Sequence, residues 1–291
     1  MTEAVLKTNG LSRQFGKQWA VRDVNLEIPK GAVFGLLGPN GAGKTTTINM
    51  LMGLLPPTQG DINILGMNPS KQGESIRQRV GYVPEIYGFY DWMTIENLIG
   101  LVAVYHKTWN WKLCESLRSD FKLDQTQKVG ELSKGMRAKL ALLLALAFEP
   151  EILILDEPTS GLDPAARRTF IETILTNYQE SGKTILVSSH LLNEFSGLLD
   201  HVAFLREGKL ELVTRLDDLH QRMKPARLIF KESIPPFLKA RDVLKVRMNG
   251  REAVVTCANF DPASTPDELL QSTGAEKVLV EEMSLEDIFV E

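Results

Sequence analysis

Cysteine is nearly absent from these 291 residues. Cys114 and Cys257 stand far apart and match no disulfide or metal-ligand spacing, which excludes a disulfide-stapled or zinc-built scaffold and fits a reducing compartment. Long apolar runs are missing too. The longest, Leu140–Phe148, has nine residues, about half of what a membrane-spanning helix needs, and the start MTEAVLKTNG lacks the basic-then-apolar order of a secretory leader. The chain is therefore expected not to cross a membrane by itself, and to sit on one only through a partner. Basic residues are in the minority, 33 Lys and Arg against 37 Asp and Glu for a net charge of −4, a balance that argues against a nucleic-acid partner.

What is present reads as a globular core with an appendage. At 43% hydrophobic and 24% charged the composition suffices for a sizeable core, and the length implies a main domain plus something smaller. AVFGLL (Ala32–Leu37) is a short apolar run ending in a glycine-rich turn at Gly38. After the turn Ile48, Leu51, Met52 and Leu55 recur at i, i+3, i+4 and i+7, a core-facing helix stopped by Pro56-Pro57. The same order repeats downstream. EILILDEP (Glu151–Pro158) reads as a buried strand, followed by Asp163-Pro164 as helix cap and first turn with Phe170, Ile174 and Tyr178 on one face. TILVSSH (Thr184–His190) and HVAFLREGKL (His201–Leu210) supply further strands. Apolar strands alternating with amphipathic helices predict an α/β fold with a mainly parallel sheet, interrupted by a helical insertion over about 86–132.

From about Arg215 the pattern changes. Leu244, Val246 and Met248 alternate with Lys245 and Arg247, Asn249-Gly250 offers a two-residue hairpin turn, and Ala253, Val255 and Cys257 alternate in return. Thr265 is placed as an N-cap with Pro266 at the first helical position and Glu268 as its capping-box partner; a strand at KVLVEE and a short helix capped by Ser284 follow. Residues 1–214 and 215–291 are thus expected to form a nucleotide-binding domain and a small α+β domain without a catalytic constellation.

Gly38-Pro39-Asn40-Gly41-Ala42-Gly43-Lys44-Thr45 satisfies G-x-x-x-x-G-K-[ST] in full, and Thr46 continues it into the helix. Backbone N–H groups of such a loop wrap a β-phosphate at a helix N-terminus, Lys44 reaches the β/γ oxygens, and the Thr45 hydroxyl suits Mg²⁺. Asp156 ends a buried strand, where its carboxylate can serve Mg²⁺ opposite Thr45, and Glu157 is the natural general base for an attacking water. His190 ends the next strand, placed to donate to a γ-phosphate. A GTPase would need Asn-Lys-x-Asp, which does not occur. Phe15, ahead of Gly16, is a candidate stacking surface for adenine or an ordinary strand residue.

Taken with LSKGM (Leu132–Met136), LILDEP (Leu153–Pro158) and SGLD (Ser160–Asp163), these motifs resemble the ATPase subunit of an ATP-binding cassette (ABC) transporter over residues 1–214, in the family's order and spacing. The carboxy-terminal part, ending in SLEDIFVE, resembles the bacterial exporter-type subfamily whose membrane parts are separate chains. The resemblance implies a P-loop NTPase fold, ATP and Mg²⁺ as ligands, and ATP hydrolysis. It further implies a sandwich of two ATPase subunits, expected to be a homodimer, in which Ser133 and Gly135 of one copy bind the γ-phosphate held by Lys44 of the other; Asp163 belongs to the same nucleotide-facing set. The ATPase pair would sit on the cytoplasmic face of the membrane against polytopic subunits, driving export. Two positions depart from the family's pattern. Lys134 and Met136 replace Gly and Gln, with Lys134 either near phosphate or in solvent. In GYVPE, Glu85 stands where many relatives carry Gln and can still offer Mg²⁺ a hard oxygen. Tyr87, Phe89, Tyr90 and Trp92 then form an aromatic cluster, where the family grips a helix of the membrane subunit and local packing is the other reading. A soluble ATPase of the same superfamily and a nucleotide-sensing module are the competing functions; the single cassette and the occupied catalytic positions weigh against them.

Overall fold

The computed structural model describes residues 3–176, 182–191, 194–231, 234 and 242–290, so Tyr178 lies outside the described residues. The chain divides into two compact units, Met1–His190 with Leu198–Val213, and Leu191–Gly197 with Thr214–Glu291.

The first unit opens with β1 (Ala4–Phe15), β2 (Gln18–Val24) and β3 (Glu27–Pro29), then β4 (Val33–Leu37), α1 (Lys44–Leu51), β5 (Gln59–Ile64), α2 (Pro69–Arg77) and β6 (Val80–Val83). The helical insertion contributes α3 (Ile95–Val104) and α4 (Trp111–Asp120), capped by the side chains of Thr94 and Asn110. After it come α5 (Lys134–Leu146), β7 (Ile152–Asp156), α6 (Pro164–Ile174), β8 (Thr184–Ser189), β9 (His201–Arg206) and β10 (Lys209–Arg215). Six of these strands form one sheet in the order β10-β9-β4-β8-β7-β6, parallel from β9 to β6. Strands β4, β7 and β8 are buried along their whole length, which is why they appear as unbroken apolar runs.

A second sheet had no counterpart in the sequence reading. β1 pairs antiparallel with β2, β3 and β5. Its Leu6, Ile28 and Ile64 join Ile48 and Leu51 of α1 and Phe34, Ile154, Leu186 and Leu205 of the parallel sheet in one core. The register of β1 shifts in every pairing it makes, so the period-2 alternation that announces a strand is interrupted.

The second unit holds α7 (Leu216–Arg222), β11 (Lys224–Ile229), β12 (Val243–Asn249), β13 (Glu252–Cys257), α8 (Thr265–Thr273), β14 (Lys277–Val280) and α9 (Leu285–Val290). Its antiparallel sheet, ordered β12-β13-β11-β14, buries Ala226, Leu228, Ala253 and Val255 with Leu269 of α8. Two local expectations shift here. Asn249 pairs with Glu252, so the hairpin turns at Gly250-Arg251, and of the two only Gly250, at φ +60°, is left-handed, the pattern of a glycine at the first turn position. Thr265 does not cap α8: its Oγ1 accepts from the Asp261 amide at 2.8 Å, and Ser264 occupies the N-cap without a side-chain bond to the helix. Ser284 does cap the last helix, accepting from the Asp287 amide at 3.1 Å. Among the described residues no helix is long and apolar enough to cross a membrane.

Candidate active site

The carboxyl ends of four adjacent parallel strands set the site. Gly38 follows β4, His190 follows β8, Asp156 ends β7 and Glu85 lies just past β6, the edge of an open α/β sheet where ligands bind. The phosphate loop needs glycine at its two ends. A Cβ at Gly38 would collide with the Leu205 carbonyl oxygen, and one at Gly43 (φ +106°) would sit 2.5 Å from the Ala20 carbonyl oxygen. The loop therefore lies directly on backbone, and α1 starts with Lys44.

Lys44 is 5% exposed. Its ammonium donates to the Gly38 and Pro39 carbonyls at 2.8 and 3.2 Å and makes a 3.0 Å ion contact with Glu157 Oε1. Glu157, 7% exposed, has a left-handed backbone (φ +46°) held by bonds from its amide to the Ser188 hydroxyl and carbonyl at 3.1 and 3.2 Å. Such a conformation in a non-glycine residue is a small strain that surrounding structure must hold. Its Oε2 accepts from His190 Nδ1 at 2.7 Å and from the His190 amide at 3.4 Å.

Asp156 is fully buried. Its Oδ1 accepts from Ser188 Oγ at 2.6 Å and Thr45 Oγ1 at 3.2 Å, while its Oδ2 has no hydrogen-bond partner. Burial pushes this carboxyl above the usual range and the charges of Glu85 and Glu157 add to that, against the two hydroxyl bonds. Tyr82, whose hydroxyl lies 3.5 Å from Asn49 Oδ1, is likewise held up by burial first and by Asp156 and Glu85 second. An orphaned buried carboxylate oxygen beside a threonine hydroxyl fits a hard divalent cation. Among the described residues no three His, Cys, Asp or Glu side chains are grouped to hold a metal by themselves. Mg²⁺ does not require such a group, because it keeps waters and takes substrate phosphate oxygens.

A cavity of about 430 Å³ joins these parts, lined by Asn40, Gly41, Lys44, Thr45, Glu85 and Glu157 among others. Thr46, His190 and Ser160 of SGLD line it too, with Ala20, which was not singled out from sequence.

The family model of the ABC transporter matches residues 21–160. The bacitracin transport ATP-binding protein BcrA of Bacillus licheniformis is 40% identical over 223 residues, 75% of this chain and 72% of that protein. The chain belongs to the ATP-binding subunits of ABC transporters. The Nod factor export ATP-binding protein I of Burkholderia orbicola is 38% identical over 216 residues, 72% of this chain and 70% of its own. A solved ATP-binding subunit of an ABC transporter superposes with a TM-score of 0.68 at 31% identity, over 74% of this chain and 92% of that one. The P-loop ATPase fold is thereby shown, with ATP binding and hydrolysis as the activity of the family.

Asp156 lies beneath the cavity wall, bonded to Thr45, and Gly38, Pro39 and Ala42 belong to the loop without lining the cavity; Ser133, Gly135, Asp163 and Phe15 belong to other segments. Ser133 caps α5, accepting from the Met136 amide at 3.3 Å, and Gly135 follows in its first turn with Ala166 of α6 against it. Asp163 caps α6 through bonds from the Ala165 and Ala166 amides. Phe15 ends β1 with half its surface exposed. Lys134 is exposed and rests over Gly161, which places it on the SGLD loop. Ser188 was missed: it is fully buried, bridges Asp156 and Glu157, and was visible only as a polar residue inside an apolar strand. The aromatic cluster divides. Tyr87 and Phe89 stack at 5.6 Å, with burial pushing the Tyr87 hydroxyl up to about 12, whereas Tyr90 and Trp92 are 54% and 69% exposed.

Proposed function

We propose that this subunit binds Mg-ATP in the cavity at the phosphate loop, that Glu157 activates the attacking water, and that a second copy completes the site with Ser133 and Gly135. The observation that carries the reading is the convergence of Lys44, Asp156, Glu157 and His190 at the ends of neighbouring strands. Glu157 Oε1 makes an ion contact with Lys44 and has no hydrogen-bond partner, while Oε2 faces His190 Nδ1. Phosphate oxygens give Lys44 a different partner, and Oε1 is then free to take a proton from water. His190 keeps Glu157 oriented through Nδ1; donation from Nε2 to phosphate at the same time requires a doubly protonated ring. Thr45 and Asp156 would hold Mg²⁺, which would supply positive charge at the phosphates, and Glu85, exposed at the rim, would be a further oxygen donor. Phe15 carries the adenine by stacking, and Asp163 with Ser160 forms the loop that faces the second copy.

Ser133 and Gly135 lie at the start of a helix whose amides favour an anion, yet they do not line the cavity of their own chain. A site shared between two copies accounts for both facts. Residues 1–214 form this cassette and 215–291 an appended domain. Beside the cavity, a groove of about 800 Å³ lined by Leu54, Tyr82, Phe89, Tyr105 and Phe148 receives a helix of a separate polytopic membrane subunit, with Tyr90 and Trp92 exposed nearby. This docking places the pair on the cytoplasmic face. Export is supported by relatives named for bacitracin transport and Nod factor export.

Glu157→Gln tests the assignment. It is expected to keep ATP binding by calorimetry, reduce turnover by a factor of about 100 to 10,000, the range of general base catalysis, and shift the chain to a dimer in ATP by light scattering. Wild-type turnover by the variant would end the reading.

A further inference from the structure

Arg13 lies one strand alternation before Phe15 on β1, and its guanidinium carbon sits 4.7 Å from the centre of the Phe15 ring. It is not a loose surface side chain. Its Nη1 donates to the Pro56 carbonyl at 2.8 Å, and its Nε is buried without a hydrogen-bond partner. Pro56 belongs to the segment that leaves α1, and the neighbouring backbone is tied to the same place: Thr58 N donates to the Ser12 carbonyl at 2.8 Å and Gln14 N to Thr58 Oγ1 at 3.1 Å. The turn after Phe15 leads into β2, whose Ala20 lines the nucleotide cavity and places its carbonyl against Gly43. A cation tied down on one side and stripped of solvent at Nε is thus laid on a half-exposed aromatic ring, on the hairpin that borders the phosphate loop. Desolvation raises the attraction between guanidinium and ring above its value at an open surface.

We infer that Arg13 is a positioning residue for the nucleobase: it fixes the Phe15 ring from behind, so that the purine stacks on a platform already in place. This rests on the reading of Phe15 as the adenine platform. Arg13 does not line the cavity at the phosphate loop, so its effect is confined to ligands that carry a base. Stacking tolerates any purine, so the device strengthens adenine and guanine nucleotides alike.

Calorimetric titration of the full chain with ADP and, separately, with inorganic pyrophosphate tests this in Mg²⁺. Arg13→Ala is expected to weaken ADP about three- to fivefold, the size of a cation–π contact at a partly exposed site, and to leave pyrophosphate affinity unchanged. Arg13→Lys, which keeps the cation, restores part of the loss. In the Phe15→Ala background, Arg13→Ala has no further effect on ADP. Equal weakening of ADP and pyrophosphate, or additive effects of the two substitutions, would show a purely structural role and overturn the inference. If Phe15→Ala weakens ADP while Arg13→Ala does not, the inference fails and the Phe15 platform stands; if Phe15→Ala changes nothing, both fall together.

Discussion

In the cassette, Lys44 meets Glu157 at 3.0 Å with their side chains 5% and 7% exposed. In the carboxy-terminal unit, Arg227 donates to Glu281 at 2.7 Å and Glu252 at 2.8 Å on an open sheet face, with side chains 37–47% exposed. By distance and geometry the surface arrangement is the better one, since two carboxylates share one guanidinium. Burial reverses the ranking of what each can mean. Taking Lys44 and Glu157 out of water costs several kcal/mol per ion, which their attraction repays only in part. Screened charges on the sheet face cost little and contribute little. The comparison teaches that the informative charges in this fold are those the chain has kept despite burial. They cluster at the strand ends, beside a carboxylate whose second oxygen has no partner.

Lys44→Ala probes the buried side hardest. It removes charge-assisted bonds to phosphate and leaves Glu157 buried beside Asp156, so ATP affinity should fall by on the order of 10- to 100-fold and stability by about 3–5 kcal/mol, read by calorimetry and urea unfolding. Ser133→Arg tests the shared site without touching the buried pair. Binding of ATP to the monomer should be unchanged, while hydrolysis that depends on dimerisation is lost; wild-type turnover would confine the site to one chain. Ser188→Ala removes the hydroxyl that bridges Asp156 and Glu157 and should cost about 1–3 kcal/mol, with turnover reduced because Glu157 loses one support of its strained backbone. Arg227→Ala is expected to leave the urea midpoint and the ATPase rate at wild-type values. A loss of stability there comparable to that of Lys44→Ala would break the contrast.

What was legible in the sequence follows the same division. Fully buried strands and the phosphate loop declare themselves, because burial on both faces demands an apolar run and backbone contact at Gly38 and Gly43 demands glycine. The cap at Asp163 was readable for the same local reason. The antiparallel sheet of β1, β2, β3 and β5 was not, since bulges break its alternation and its partners lie far apart in the chain, as Leu6 and Ile64 do. Ser188 and Arg13 act through neighbours that only folding supplies. The hairpin at Gly250 and the start of α8 moved by a single residue, within the range where turn and cap signals compete.

The contacts around the phosphate loop have a consequence for how fast and how tightly it can capture ATP. Gly208 donates its amide to the Ala42 carbonyl at 3.0 Å and accepts from the Arg22 amide at 2.7 Å, while Gly38 and Gly43 lie against the carbonyls of Leu205 and Ala20. The loop is stitched to β2, to the end of β9 and to the turn at Gly208 by the fold itself. Fixing a backbone residue in one conformation costs about 1–2 kcal/mol, and here folding of the cassette has already met that cost. On the proposed reading, phosphate contacts then draw Lys44 away from Glu157, so that capture of the nucleotide and release of the base become one event.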